Sequence, residues 1–218
     1  MSRDWRETRI LFRFNGVAVK VKPSFWPMWL SGWPLLIGLA KRRRPERSWL
    51  QSILLGTAGM PWPIIADLGH ALAHTVSAKM AGAPMDEIHL AADMPRTIYF
   101  NNDVTPDQHR LRALGGPIFS ALSLGISLVW RSCAPPETAA RELAEISAVS
   151  QALIFCGSLL PMAIVDGGTL LKWTLVDRGR TEGEAERQVR RTSLWAAVGL
   201  FVAAVSLLYQ ALLRMRTR

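Results

Sequence analysis

Uncharged stretches of membrane-crossing length recur along this chain, separated by short segments dense in charge. Five stand out: Pro23–Ala40, Ser48–Ala66, Ala113–Trp130, Ile146–Val165 and Ser193–Leu213. A hydrocarbon core about 30 Å thick takes roughly 20 apolar residues of helix, so each is a candidate span. The last is the strongest, and the first, interrupted by Pro23, Pro27 and Pro34, is the weakest. The pattern predicts a mainly α fold: a polytopic transmembrane bundle of about five helices in a multi-pass integral membrane protein.

The segments around the spans carry other periodicities. Arg9–Phe14 and Val17–Lys22 flank Asn15-Gly16, the dipeptide that supplies the two positive-φ positions of a type I′ turn, so a β-hairpin is expected. Val17, Val19 and Val21 alternate with Ala18, Lys20 and Lys22, and Pro23 ends the ladder. Two short strands are predicted near residues 87–100, over Glu87–Ala92 and Arg96–Phe100, parted by Met94-Pro95. A loop follows, then a helix start at Asp107–Arg112. Thr174–Arg191 is a charged connection with a short helix over Glu182–Arg191. The chain reads as one domain over 1–218, with the hairpin in 1–22, a core over 23–175, and the connection and final span over 176–218. Within the third span, Gly116 to Ser120 and Ala121 to Gly125 are small-xxx-small spacings, which let helix backbones approach closely.

Composition alone does not separate a membrane protein from a soluble one, since 50% of the residues are hydrophobic and 20% are charged. The net charge of +9 is more informative by its placement. Arg3, Arg6, Arg9, Arg13, Lys20 and Lys22 precede the first span. Lys41, Arg42, Arg43, Arg44 and Arg47 follow it, and Arg214, Arg216 and Arg218 close the chain. Such flanks suit anionic lipid headgroups and form no single face for nucleic acid. Basic clusters on both sides of the first span leave the positive-inside rule without one consistent topology. Cys133 and Cys156 lack metal-type spacing, and nothing argues for a disulfide between them. The charged, patterned residues 1–22 do not resemble a cleavable signal.

Two carboxylates interrupt the apolar stretches, Asp67 and Asp166. A charge near the bilayer centre costs about 2.5–3.5 kcal/mol, so each should face a partner, a metal or a water-filled cavity. At about 100° per residue, Asp67, His70 and His74 fall within roughly 60° of one another on a helix. Histidines at i and i+4 can share an ion. Two neutral histidines hydrogen-bonded to neighbours would satisfy the same pattern. Asp166 sits at the end of the fourth span, before Gly167 and Gly168, which let the backbone turn and another helix approach. His89 and His109 are expected to be surface or interfacial histidines rather than ligands.

Taken in order, these pieces resemble the site-2 protease family of intramembrane zinc metalloproteases. Asn15–Phe25 is similar to the family's strand pair leading into its first helix. Ala66-Asp-Leu-Gly-His-Ala-Leu-Ala73 aligns with the signature H-E-x-G-H-A-x-A, and Ala113-Leu-Gly-Gly-Pro117 with a Gly-Pro helix start. Ser158-Leu-Leu-Pro161 and Val165-Asp-Gly-Gly168 match N-x-x-P…L-D-G-G, so the likeness runs over roughly residues 10–175. It implies a zinc site with two histidines and an aspartate as ligands, a glutamate as general base, and a transmembrane protein as substrate or client. It also implies that the strands near 87–100 present an edge to an unfolded substrate segment, although Met94-Pro95 replaces the family's glycine-rich connection.

Carried over by position, His70 is the second histidine ligand and Asp166 the aspartate ligand. Ala66 stands in place of the first histidine, Asp67 in place of the glutamate and Ser158 in place of the asparagine. Alanine offers no donor atom, and aspartate is one methylene shorter, so ligand count and base position both fall short. His74 is a spare ligand one turn on, and in that frame Ala71 occupies the base position. The leading expectation is a site-2-protease-like protein with reduced or lost peptidase activity that acts on or binds transmembrane clients, with zinc at a weakened site. Two alternatives remain: an active zinc metalloprotease with a rearranged site of His70, His74 and Asp166 and Asp67 in the catalytic role, or a small membrane transporter or assembly factor.

Overall fold

The computed structural model describes residues 8–216. Arg3, Arg6 and Arg218 of the basic flanks lie outside the described residues, as do Arg214 and Arg216 beyond their backbone.

The hairpin forms where Asn15-Gly16 predicts it, with φ of 52° at Asn15 and 87° at Gly16. Strand β1 (Arg9–Phe14) pairs antiparallel with β2 (Val17–Val21), with a register shift between Ile10 and Phe12. β2 then pairs in parallel with β3 (Glu87–Leu90), and β4 (Arg96–Ile98) returns antiparallel, giving one sheet in the order β1-β2-β3-β4. The two predicted strands near 87–100 are thus present, each shorter than the sequence suggests. Val17, Val19, Val21, Ile88 and Leu90 form a core with Phe25 and with Ala71 and Ala78 of a helix beneath. Lys20 pairs with Glu87 across the parallel junction, and the Glu87 carboxylate also meets His89 Nε2 at 2.6 Å. His89 is therefore buried in the sheet, not on the surface.

Seven helices make up the rest of the described chain: α1 (Phe25–Arg43), α2 (Trp49–Gly59), α3 (Pro61–Met80), α4 (Pro106–Cys133), α5 (Ala139–Ser158), α6 (Asp166–Asp177) and α7 (Glu182–Arg216). Among the described residues two segments, Pro106–Cys133 and Glu182–Ser206, are long and apolar enough to cross a membrane. The sequence predicts five. The run over 48–66 is divided at Met60, because Pro61 and Pro63 bring no N–H to the helical ladder, and α2 has only 11 residues. The run over 146–165 is divided because α5 stops at Ser158 and the chain turns through Pro161. α5 instead begins earlier, in the charged segment, on a Thr138 cap whose side chain accepts from Arg141 N. The short helix expected at Glu182–Arg191 is the start of α7.

Large apolar side chains point outward along most helices: Leu30, Leu35, Leu54, Leu122, Leu153 and Phe201 are all more than half exposed. Ser52, Ala66, Ser120 and Ala144 between the helices are fully buried. A greasy exterior over a small-residue interior matches the packing expected of helices in lipid, where close backbone approach replaces the hydrophobic effect. The basic cluster after α1 turns inward more than its sequence implies. Arg44 and Arg47 converge on buried Glu142, with Arg47 making two hydrogen bonds of 2.6 and 3.0 Å, and Arg43 pairs with Glu145. Those arginines are tied to α5 rather than free for headgroups.

Candidate functional site

Helices α3, α4 and α6 meet around one cluster of side chains. α3 carries His70 and His74 a turn apart on its α4-facing side, as their i, i+4 spacing requires. The two rings lie 5.0 Å apart and nearly perpendicular. α4 can come this close because Gly115 and Gly116 face α3. A Cβ at Gly115 would lie 2.5 Å from Ala73 O, and one at Gly116 would lie 2.3 Å from His70 Nε2 and 2.4 Å from His74 Nε2.

Asp166 enters from the opposite side. It begins α6, after the turn over 159–165, rather than ending a long fourth span. The glycines behind it accommodate that turn, not a neighbouring helix. A Cβ at Gly168 would sit 2.0 Å from Met162 O, and one at Gly167 would sit 2.4 Å from Leu159 O. The Asp166 carboxylate meets His70 Nε2 at 3.0 Å and His74 Nε2 at 3.3 Å, one oxygen to each ring.

The far sides of both rings are held. His74 Nδ1 lies 2.8 Å from the Arg112 carbonyl oxygen, so it donates there and leaves Nε2 with a free lone pair in the neutral ring. His70 Nδ1 lies 2.9 Å from Ser120 Oγ. Held in this way, both Nε2 atoms face Asp166, and one ligand atom from each of His70, His74 and Asp166 lies within 4.8 Å of the others. Two imidazoles oriented through Nδ1 and one carboxylate form a donor set that suits a zinc-type ion, with three protein ligands and a further position for water or substrate.

Asp67 does not join this group. It is partly buried on α3, and among the described residues no side chain hydrogen-bonds or ion-pairs with it. Ala66, in the position of a missing ligand, is fully buried, and Ala71, next to His70, is almost so. Ser158 closes α5 by donating to Phe155 O at 3.0 Å. Nothing in the sequence marks Ser120, Gly116 or the Arg112 carbonyl for chemistry. The signal available for two of them was the Gly116-to-Ser120 spacing, which sequence reasoning assigns to packing alone.

A cavity of about 460 Å³ opens from His74 and Asp166 toward the sheet and the start of α7. His109, expected at the surface or an interface, lines it, buried between α4 and α6 and stacked on Trp173 at 3.7 Å. Arg112 is 4% exposed, with its guanidinium 4.3 Å from the Tyr99 ring centre. Burial pushes the Tyr99 phenol up to about 12, so that ring is neutral at ordinary pH.

No family model matches the chain, and no curated protein matches it. Among solved structures, it is similar to the Site-2 Protease from Methanocaldococcus jannaschii, with a TM-score of 0.55 and 16% identity over 94% of this chain and 85% of that one. The chain therefore has a site-2-protease-like fold.

Proposed function

We propose that this chain is a multi-pass membrane protein of site-2-protease architecture that holds zinc through His70, His74 and Asp166, and that its peptidase activity is reduced or lost. On this reading it binds segments of transmembrane client proteins rather than cleaving them efficiently. One observation carries the ligand assignment: both Nε2 atoms converge on the two Asp166 oxygens while both Nδ1 atoms are occupied elsewhere. When bound, zinc supplies Lewis acidity and lowers the pKa of a coordinated water. The chain's own residues orient the ligands, but none of them supplies a base in the usual place. In this ligand frame the residue after the first histidine is Ala71, which cannot accept a proton. Asp67 lies outside the cluster.

Metal analysis of the full chain in mild detergent tests the ligand set. About one zinc per chain is expected, falling in His70→Ala, His74→Ala and Asp166→Asn alike. Zinc retained fully in His74→Ala would remove the shifted frame. A second reading, an active protease with Asp67 as base, draws on the position of that carboxylate one turn before His70 on α3. Cleavage of a model transmembrane substrate, abolished by Asp67→Ala, would establish it and overturn the loss of activity.

A further inference from the structure

A guanidinium taken out of water normally meets an anion, because an unpaired buried charge is strongly destabilising. Arg112 does not follow that rule. Its Nε donates to Ala83 O at 2.7 Å and its Nη2 to Asn101 O at 3.3 Å, both neutral acceptors. Nη1 is buried without a partner, and among the described residues no carboxylate forms an ion pair with the side chain. Asp86, whose charge reaches Arg112 from further off, accepts from Phe100 N. His109 Nε2, in the same cavity, is a second buried polar atom without a partner. The acids that share the lining are engaged, Asp166 with the two histidines and Glu182 with Lys172 at 3.1 Å. Two residues that line one polar cavity thus each keep a buried polar atom without a partner.

We propose that Arg112 and His109 form a carboxylate-binding subsite, which takes an acidic side chain or a terminal carboxylate of the polypeptide held beside His74 and Asp166. This rests on the reading that the cluster receives polypeptide. A carboxylate fits better than a phosphate because its two oxygens need only two donors, whereas a phosphate presents more acceptors than these residues can meet. Arg112 Nη1 is one donor. His109, which burial holds toward its neutral form, supplies the other through Nε2 when it takes up a proton with the ligand. The volume suits one or two residues of chain and not a two-tailed lipid. Trp173 beneath His109 and Tyr99 beside Arg112 fix the two groups, so little ordering is required on binding.

The test titrates full-length protein in detergent with N-acetyl-glutamate amide and its isostere N-acetyl-glutamine amide. The acid should bind about tenfold more tightly, as a charge-assisted hydrogen bond requires. Arg112→Gln should erase the preference, and His109→Gln should reduce it. The second variant leaves the Arg112 ties to Ala83 and Asn101 in place, so it answers even where Arg112→Gln fails to fold. Equal binding of acid and amide, or a preference surviving both substitutions, overturns the proposal; survival would place the carboxylate on the metal instead. Tighter binding of glycerol phosphate than of the glutamate probe would also overturn it, in favour of a lipid headgroup. Zinc content of the same preparations separates the two readings: a glutamate preference without zinc sinks the metal assignment and leaves this subsite standing.

Discussion

Gly116→Ala is the sharpest single perturbation of the cluster. The added Cβ would lie 2.3 Å from His70 Nε2 and 2.4 Å from His74 Nε2, whereas ordinary contact begins near 3.4 Å. Either α4 or both rings must therefore move by about 1 Å. The rings cannot swing freely, because each is anchored through Nδ1, to Ser120 Oγ and to the Arg112 carbonyl. Zinc tolerates deviations of only about 0.2 Å in ligand distance, so the displacement falls on metal binding. Disturbing the groups that orient a ligand typically costs 10–100-fold in affinity, and the upper end is expected here because two ligands are struck at once. Overpacking adds a destabilisation of about 1–3 kcal/mol. Gly125→Ala on the same helix is the matched control, since nothing lies within 4 Å of its Cβ. It should leave zinc affinity unchanged and stabilise the helix by up to about 1 kcal/mol. Competition against a chromogenic chelator in detergent reads both. If Gly116→Ala binds zinc as tightly as Gly125→Ala, the proposed ligand geometry is wrong.

Two further outcomes follow from particular contacts. Ser120→Ala removes the group that orients His70 without adding bulk, and should weaken zinc by about tenfold with the fold intact; unchanged affinity would mean His70 needs no such support. In the sheet, partial burial acts to raise the Glu87 carboxyl pKa, but Lys20 and His89 outweigh it and hold the group below its usual range. A depressed folded pKa contributes stability above the unfolded value, about 4.3, and that contribution is lost as pH falls through the lower folded value. Wild-type protein should therefore lose more stability than Glu87→Gln in thermal unfolding below about pH 4.3, and parallel curves for the two would contradict this.

The features legible in the sequence are those that neighbouring residues encode by themselves. Asn15-Gly16 encodes its own turn, and Val17, Val19 and Val21 encode a buried strand face whatever lies beneath them. The i, i+4 placement of His70 and His74 likewise needs only one helix. What escaped depends on contacts between distant residues. The parallel pairing of β2 with β3 joins segments 67 residues apart through Lys20 and Glu87. Asp67 shares a helical face with the histidines in projection, yet Asp166 arrives from another element and takes the position facing both rings. The broken helix at Met60 escaped for a different reason. Counting charges is blind to Pro61 and Pro63, which interrupt the helical ladder without adding polarity.

Helix α7 has one more use, as a depth gauge. Its 35 residues extend about 52 Å, well beyond a hydrocarbon core of about 30 Å. With the chain placed in a membrane as proposed, the charged first turns, through Arg191, belong in water or among headgroups, which puts the lipid boundary near Thr192 and Ser193. Those two residues grip the turn before α6: Thr192 Oγ1 donates to Pro161 O, and Ser193 Oγ accepts from Ala163 N. Asp166, three residues further on, is thereby set near the rim of the apolar layer, while Glu182 on the cavity wall stands about 15 Å outward along the helix. In that placement water would reach the histidine–aspartate cluster along the cavity without crossing lipid. On the proposed client-binding reading, a membrane-embedded segment would rise toward that rim to be held there.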